Sequence, residues 1–214
     1  MTSLALFPDD EPSLLLFEEQ ARKSGYRAIV GIDEAGRGPL AGPVVAAAVI
    51  LPEGFALSGL TDSKKLSAKQ REAFYPEIRR SARAVGVGVA SAAEIDRINI
   101  LQATLLAMQR AVSRLPVAAD YLLIDGITPL PVIIPQRTLK KGDSRSLSIA
   151  AASVIAKVVR DRIMLAVDRQ FPGYGFAVHK GYGTALHRQA IAEKGPVKPH
   201  RSSFGGVREY LERQ

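Results

Sequence analysis

The segment Gly31-Ile32-Asp33-Glu34-Ala35-Gly36-Arg37-Gly38-Pro39 joins an apolar strand to two adjacent carboxylates and a glycine-rich turn that carries an arginine. Neighbouring side chains of a strand point to opposite faces, so Asp33 and Glu34 share one site only if the backbone twists or turns, and Ala35-Gly36 supplies a turn. Two carboxylates about 4 Å apart repel by roughly 4 kcal/mol at an effective dielectric constant near 20. Such a pair needs a cation, and hard divalent ions prefer oxygen ligands. The alternative is that Asp33 caps a turn while Glu34 is solvated.

Two further acids follow elements that the sequence pattern predicts. The apolar run 121–124 ends in Asp125-Gly126, which is typical of a buried strand that delivers Asp125 to the edge of a sheet. Asp143 stands just before a long helical stretch. Taken alone, Asp125 is also typical of a turn and Asp143 of a helix N-cap. Together with Asp33 and Glu34, these acids give two strand ends and a helix start, which is the layout of a two-metal phosphodiesterase site.

The periodicity of apolar residues predicts an α/β fold. Strands are predicted at Ala28 to Asp33, Val44 to Leu51, Ala84 to Ala90, Tyr121 to Asp125 and a weak one at Val132 to Pro135. Helices are predicted from Pro12 and Ser13 to Lys23, at Ser67 to Ser81, at Ala93 to Leu115 as one or two helices, at Ser144 to Gln170 and at Ala185 to Lys194. A hairpin comes first and strands then alternate with helices, which indicates a mixed sheet flanked by helices.

Length and composition limit the class of protein. A chain of 214 residues with 47% hydrophobic content is expected to form one domain, 1–214. Its net charge of +8 favours a polyanionic partner. The absence of cysteine excludes disulfides and thiolate zinc sites. Residues 1–11 lack the pattern of a secretory signal and the longest apolar runs are too short to cross a bilayer, so a cytoplasmic protein without membrane contact is expected.

Six motifs stand in a characteristic order over roughly Arg27 to Gly205. They are residues 31–43, Asp62-Ser63-Lys64-Lys65-Leu66, Ile124-Asp125-Gly126, Lys141-Gly142-Asp143, the helix Ser146 to Arg162 and His179-Lys180-Gly181-Tyr182-Gly183-Thr184. This ordered set resembles the type 2 ribonuclease H family, ribonuclease HII. The resemblance implies a ribonuclease H-like mixed five-stranded sheet flanked by helices, with a core over about 28–170 and a helical, substrate-contacting C-terminal region over about 171–214.

The same resemblance implies an activity. It is endonucleolytic hydrolysis of the RNA strand of RNA/DNA hybrids, with incision at ribonucleotides embedded in duplex DNA, leaving 5′-phosphate and 3′-hydroxyl ends. Two ions, Mg²⁺ or Mn²⁺, are expected in the catalytic state. Their expected ligands, which are also the expected catalytic residues, are Asp33 and Asp125 at the centre, with Glu34 and Asp143 on the outer sides. No histidine is needed as a base, so His179 is expected to be positional.

Substrate contacts are expected at three places. The resemblance implies that the turn Gly36-Arg37-Gly38 reads the ribose 2′-hydroxyl and that Tyr182 packs on the sugar of the following nucleotide, although Tyr182 alone is also typical of a surface loop. Ser63 and Lys64 lie in a polar turn suited to phosphate contacts, or to the solvated start of a helix. Lys157, Arg160 and Arg162 on the long helix are predicted to track the nucleic-acid backbone, with some of them in a solvated face.

Two other functions remain compatible with these residues. A non-catalytic basic protein that binds nucleic acid would need no divalent metal. Another two-metal nuclease, such as a junction resolvase, would cleave branched DNA that contains no ribose. A monomer that acts on RNA/DNA hybrids and ribonucleotide-containing duplex DNA is the expected form.

Overall fold

The computed structural model describes residues 13–211, whose centre is a five-stranded sheet. Its strands are β1 (Ile29–Ala35), β2 (Val44–Ile50), β3 (Ala84–Ala90), β4 (Tyr121–Asp125) and β5 (Gln136–Leu139). They lie in the order β3-β2-β1-β4-β5. β1, β2 and β3 are antiparallel neighbours, whereas β4 runs parallel to β1 and β5 runs parallel to β4. The predicted α/β class, the hairpin at the start and the mixed five-stranded sheet are therefore confirmed.

Helices cover both faces of the sheet. They are α1 (Leu16–Lys23), α2 (Ala68–Ser81), α3 (Ala92–Ser113), α4 (Leu147–Gln170), α5 (Phe176–His179), α6 (Ala185–Lys194) and α7 (Arg208–Leu211), with a 3₁₀ turn at Gly142–Ser144. The one-turn helices α5 and α7 were not predicted, because four residues show no periodicity. The predicted helix start at Pro12 and the segment 1–11 lie outside the described residues. Within residues 13–211, no helix has both the length and the apolar composition needed to cross a membrane.

Helix α4 packs directly on β1 because the strand has a glycine, Gly31, at the point of contact. A Cβ atom built on Gly31 would lie 2.1 Å from the backbone carbonyl carbon of Ser148. The small residues that follow on α4, Ala150, Ala151 and Ala152, are fully buried. The strand that carries Asp33 is therefore in contact with the helix that begins shortly after Asp143.

The N-terminal helix α1 is tied to the start of α4. The buried Glu18 accepts hydrogen bonds through Oε1 from the hydroxyls of Ser146 and Ser148, both at 2.6 Å, and from the Ser148 amide at 2.9 Å. The amide of Leu147 also donates to the carbonyl oxygen of Leu14 at 2.8 Å. These bonds fix the beginning of α4, which directly follows the turn that carries Asp143.

Two predicted elements differ from the structure. The predicted strand Val132 to Pro135 is wrong, since β5 begins at Gln136. The apolar run lies between Pro131 and Pro135. Its residues Val132 and Ile134 pack against the core, whereas Ile133 is exposed. The long helix begins at Leu147 and not at Ser144, and its N-cap is Ser146, whose hydroxyl accepts from the Ile149 amide.

Candidate metal centre and the adjoining cavity

Three aspartates converge at one edge of the sheet. Asp33, Asp125 and Asp143 each place a carboxylate oxygen within 4.8 Å of the other two. Asp33 and Asp125 follow the paired residues Ile32 and Ile124 of parallel strands, so both emerge at the same strand ends. The 3₁₀ turn after β5 adds Asp143, and the amide of Gly142 in this turn donates to Asp125 Oδ1 at 2.7 Å.

Glu34 approaches this cluster from the other face of β1. The strand continues to Ala35, so Asp33 pairs with Ala47 and Glu34 with Ala46, and the two acids point in opposite directions. Together with Asp125 and residues of α3, Glu34 lines a cavity of about 360 Å³. The turn expected at Ala35-Gly36 thus begins only at Gly36 and does not bring the two carboxylates to one face. They flank the strand end instead.

Burial and mutual repulsion favour the neutral forms of the acids. Burial raises the pKa of Asp33 well above its usual value, and the charges of Glu34 and Asp125 add to the rise. Burial also raises the pKa of Glu34, where the Arg37 guanidinium opposes the rise and Asp125 adds to it. Within the described part of the chain, the buried Oδ2 atom of Asp33 has no hydrogen-bond partner. A hard divalent cation would satisfy this oxygen and remove the repulsion, so the donor set fits Mg²⁺ or Mn²⁺.

The pKa of Asp143 is also raised. Burial, reinforced by the charges of Asp125 and Asp62, raises the pKa of Asp143 to about 6. Asp62 belongs to the motif 62–66, but the sequence assigned it no role beside the acids. The folded state therefore binds a proton at Asp143 in a pH range where the unfolded chain has released it.

This proton uptake gives a testable pH dependence of the metal-free protein. Its stability should fall as pH rises from about 4 to about 6, because the folded state must then ionise Asp143. The Asp143→Asn variant has no carboxyl group to ionise at this position, so it does not lose stability in this way. We expect its melting temperature, measured with chelator present, to exceed that of the unaltered protein by a margin that grows over this range. A margin that is the same at pH 4 and pH 6 would contradict the assignment.

Lys64 lies beside the acids at the mouth of the site. Its Nζ atom lies 3.8 Å from Asp143 Oδ2, and its side chain is 73% exposed. Burial by itself lowers the pKa of Lys64, but the carboxylates of Asp33 and Asp143 outweigh it, so the net shift is upward. Ser63 is buried beneath, where its Oγ atom accepts a hydrogen bond from Ser153 Oγ at 2.6 Å. A role for either residue as a phosphate contact stays a prediction.

A second cavity of about 220 Å³ adjoins the acids. Its lining includes six residues that the sequence predicted to contact substrate: Gly36, Arg37, Gly38, Ser63, Lys64 and Tyr182. The half-exposed ring of Tyr182 faces the turn, since a Cβ atom on Gly38 would lie 3.9 Å from Tyr182 Cε1. The structure thus brings the predicted contacts to one wall of the site, next to Glu34.

Arg160 corrects one of the predictions. It is buried and donates to the carbonyl oxygens of Pro43 at 3.1 Å, Ala41 at 3.2 Å and Lys180 at 3.0 Å. The prediction that its guanidinium tracks the nucleic-acid backbone is therefore wrong. The sequence did contain an indication that Arg160 binds the backbone. The loop 36–43 is rich in glycine and proline, whose side chains cannot donate hydrogen bonds to its buried carbonyl groups, so the donors must come from elsewhere.

The three histidines of the chain lie together behind the Tyr182 loop. His187 Nδ1 lies 2.9 Å from the carbonyl oxygen of Tyr182, and its Nε2 lies 3.0 Å from His200 Nε2. His179 Nδ1 accepts from the Gly181 amide at 3.1 Å. Burial lowers the pKa of His187 to about 4, so its ring is neutral at pH 7. The contacts of His179 agree with the positional role expected for it.

Comparison with known proteins identifies close relatives. The sequence model of the family described as Ribonuclease HII matches residues 30–207. A protein of Syntrophotalea carbinolica named Ribonuclease HII is 66% identical, over 97% of this chain and 100% of its own length. One of Geotalea uraniireducens with the same name is 63% identical, over 99% and 98%. The crystal structure of ribonuclease H2 from Pyrococcus horikoshii OT3 superposes with a TM-score of 0.72 at 24% identity, covering 86% of this chain and 97% of that one.

Proposed function

The chain belongs to the ribonuclease HII family and is a metal-dependent endonuclease that acts on RNA/DNA hybrids, and we propose that Asp33, Glu34, Asp125 and Asp143 are its catalytic metal ligands. The observation that carries this proposal is the convergence of three aspartates around the unpartnered Oδ2 atom of Asp33. Glu34 extends the set from the opposite face of β1. Glu34 and Asp125 line the same cavity.

The proposed occupants are two Mg²⁺ or Mn²⁺ ions. When bound, such a pair acidifies a water molecule and neutralises charge on the attacking and leaving oxygens of a phosphodiester. Asp33 and Asp125 are the proposed central ligands, with Glu34 and Asp143 on either side. The Gly142 amide holds Asp125 in place through its bond to Oδ1. Lys64, at the mouth, is placed to meet a phosphate of the substrate backbone.

The proposed substrate includes duplex DNA with a single ribonucleotide. Recognition of one ribose requires a contact to its 2′-hydroxyl, which DNA lacks. The turn Gly36-Arg37-Gly38 lines the cavity next to Glu34, and glycine there lets the backbone approach a sugar closely. Tyr182 stands across the same cavity, where its ring can pack on the sugar of the next nucleotide.

A labelled duplex with one ribonucleotide tests this function. In Mg²⁺ or Mn²⁺ we expect a single nick at the ribonucleotide, with a 5′-phosphate and a 3′-hydroxyl, and no cleavage in chelator. Binding without cleavage would favour a non-catalytic binder. Cleavage of an all-DNA four-way junction, with the ribonucleotide duplex left intact, would favour a resolvase.

Tyr182→Ala should change where the enzyme cuts more than how tightly it binds. Loss of ring packing worth about 1.4 kcal/mol should reduce the preference for the RNA–DNA junction about tenfold. The measurement is the distribution of nicks along a strand with several consecutive ribonucleotides, alongside the dissociation constant. Tyr182→Phe keeps the ring and serves as the matched control. An unaltered nick distribution in Tyr182→Ala would contradict the sugar contact.

The remaining proposals concern the state of the protein. We propose one domain, 1–214, in which residues 171–214 contact the substrate, and a monomer located in the cytoplasm. The cysteine-free sequence suits a reducing compartment. Light scattering on the purified protein tests the monomer, with a dimer mass as the contrary result.

A further inference from the structure

Arg201 is fully buried, and its guanidinium donates hydrogen bonds to backbone carbonyl groups and lies 5.0 Å from the centroid of the Phe204 ring. Its NH1 donates to the carbonyl oxygen of Arg37 at 2.7 Å and its NH2 to that of Gly36 at 2.5 Å. Its Nε and NH2 also donate to the carbonyl oxygen of Gly42, at 3.0 and 2.9 Å. Arg201 forms no ion pair with any residue in the range 13–211. A guanidinium without a carboxylate is costly to bury, so these carbonyl dipoles are its compensation.

These bonds determine which way the turn presents its amides. In a trans peptide the carbonyl oxygen of one residue and the N–H of the next point in opposite directions. Because Arg201 draws the carbonyl groups of Gly36 and Arg37 inward, the N–H groups of Arg37 and Gly38 point away from it. Neither amide has an acceptor among the residues that the structure describes. Both residues line the cavity beside Glu34.

The turn has little freedom to adopt another conformation. Gly36 has φ of +101°, and a Cβ atom on it would lie 2.0 Å from Arg160 Nε, so the backbone rests against a second buried guanidinium. The amide of Arg201 donates to the carbonyl oxygen of Leu40 at 2.9 Å, which fixes the far end of the loop. One residue from the C-terminal segment therefore holds both ends of the segment 36–42.

We infer that Arg201 is a positioning residue for ribose recognition. Its guanidinium holds the turn so that the amides of Arg37 and Gly38 face the cavity, where both can donate hydrogen bonds to the 2′-hydroxyl of a ribonucleotide. This rests on the proposed role of the turn in contacting the ribose. Arg201 itself is not among the residues that line the cavity, and its Nε, NH1 and NH2 atoms all donate to carbonyl groups of the 36–42 loop.

Arg201→Lys tests the inference, because lysine keeps the charge but lacks the planar fork that serves three carbonyl groups at once. The readouts are kcat/KM on a duplex with one ribonucleotide and the inhibition constant of an all-DNA duplex of the same sequence. We expect kcat/KM to fall at least about tenfold and the inhibition constant to stay within about twofold. Mn²⁺ affinity, measured by calorimetry, should stay unchanged because the acids are untouched.

Ile78→Val is the control for lost stability alone, since Ile78 is fully buried in α2 and packs in a core cluster that contains no residue of the 36–42 loop. This variant should lower the melting temperature without changing kcat/KM on the ribonucleotide duplex relative to the inhibition constant of the all-DNA duplex. An Arg201→Lys protein that keeps this ratio overturns the inference, and so does one in which both constants weaken in parallel. An unaltered protein with no preference for the ribonucleotide duplex would refute the proposed function instead.

Hydrogen exchange on the unaltered protein provides a test that does not depend on the variant folding. The amides of Arg37 and Gly38 should exchange rapidly in the free protein. A catalytically silent complex with the ribonucleotide duplex, formed with metal chelated, should protect them, and the all-DNA duplex should not. Equal protection by both duplexes, or protection already present in the free protein, overturns the inference.

Discussion

Asp125→Asn should reduce cleavage of an RNA/DNA hybrid by about 10³-fold or more while binding of the hybrid changes little. The magnitude corresponds to about 4 kcal/mol of lost transition-state stabilisation, which is the scale of charge stabilisation that metal ions supply. The fold should be retained, because the asparagine Oδ1 can still accept the hydrogen bond that the Gly142 amide donates to Asp125. The measurement is single-turnover cleavage in Mg²⁺, with binding followed separately in chelator.

The stability of the same variant distinguishes a metal ligand from an aspartate that only stabilises the fold, because loss of the latter would lower the melting temperature. Asp125 adds to the raised pKa values of Asp33, Glu34 and Asp143, so its neutralisation should lower all of them. Without metal, Asp125→Asn should therefore melt at or above the temperature of the unaltered protein. Glu72→Gln removes a carboxylate from an exposed ion pair with Arg162 and is the control for charge alone. Turnover retained in Asp125→Asn would exclude the metal role.

Gly31→Ala should destabilise the protein by about 3 kcal/mol, the upper end of the usual cost of overpacking a core. The added Cβ atom would lie 2.1 Å from the backbone carbonyl carbon of Ser148, so β1 and α4 must separate. For a chain of this size, that corresponds to a melting temperature lower by about 6–12 °C. Cleavage should fall as well, because the two elements that separate carry Asp33 and follow Asp143.

Gly205→Ala is the matched control for Gly31→Ala. A Cβ atom on Gly205 would meet nothing closer than a carboxylate oxygen of Glu209 at 3.6 Å, which is ordinary contact. Its melting temperature should change by no more than about 2 °C. If Gly31→Ala melted like Gly205→Ala, the close packing of β1 on α4 would be incorrect.

Elements with a strong local pattern were predictable from sequence. β3, β4 and α6 have the bounds that alternation and apolar periodicity indicated. β4 was found because a continuous apolar run is typical of a strand buried on both faces. Asp125 could be singled out for the same reason, since it stands where that run stops. The weak edge strand β5 carried no such pattern, and a flanking apolar run was mistaken for it.

The parts that sequence missed depend on contacts between distant residues. Arg201 lies 165 positions from Gly36, whose carbonyl oxygen it binds, and Glu18 lies 128 positions from Ser146. Neither residue belongs to a local motif. Arg201 binds backbone carbonyl groups, which any sequence carries, and Glu18 binds two serine hydroxyls and one amide that are far away in sequence. The opposite orientation of Asp33 and Glu34 was missed for another reason: the exact residue at which β1 ends depends on its pairing with β2.

The 36–42 loop can be held in place only after Arg201 has been synthesised, because the bonds that fix the loop come from this later residue. The turn is translated well before the side chain that holds it, since Arg201 lies 165 positions after Gly36. A nascent chain can therefore fold its sheet and α4 while the loop is still unsupported. Truncation just before Arg201 should give a protein that binds Mn²⁺ yet discriminates poorly between ribose and deoxyribose.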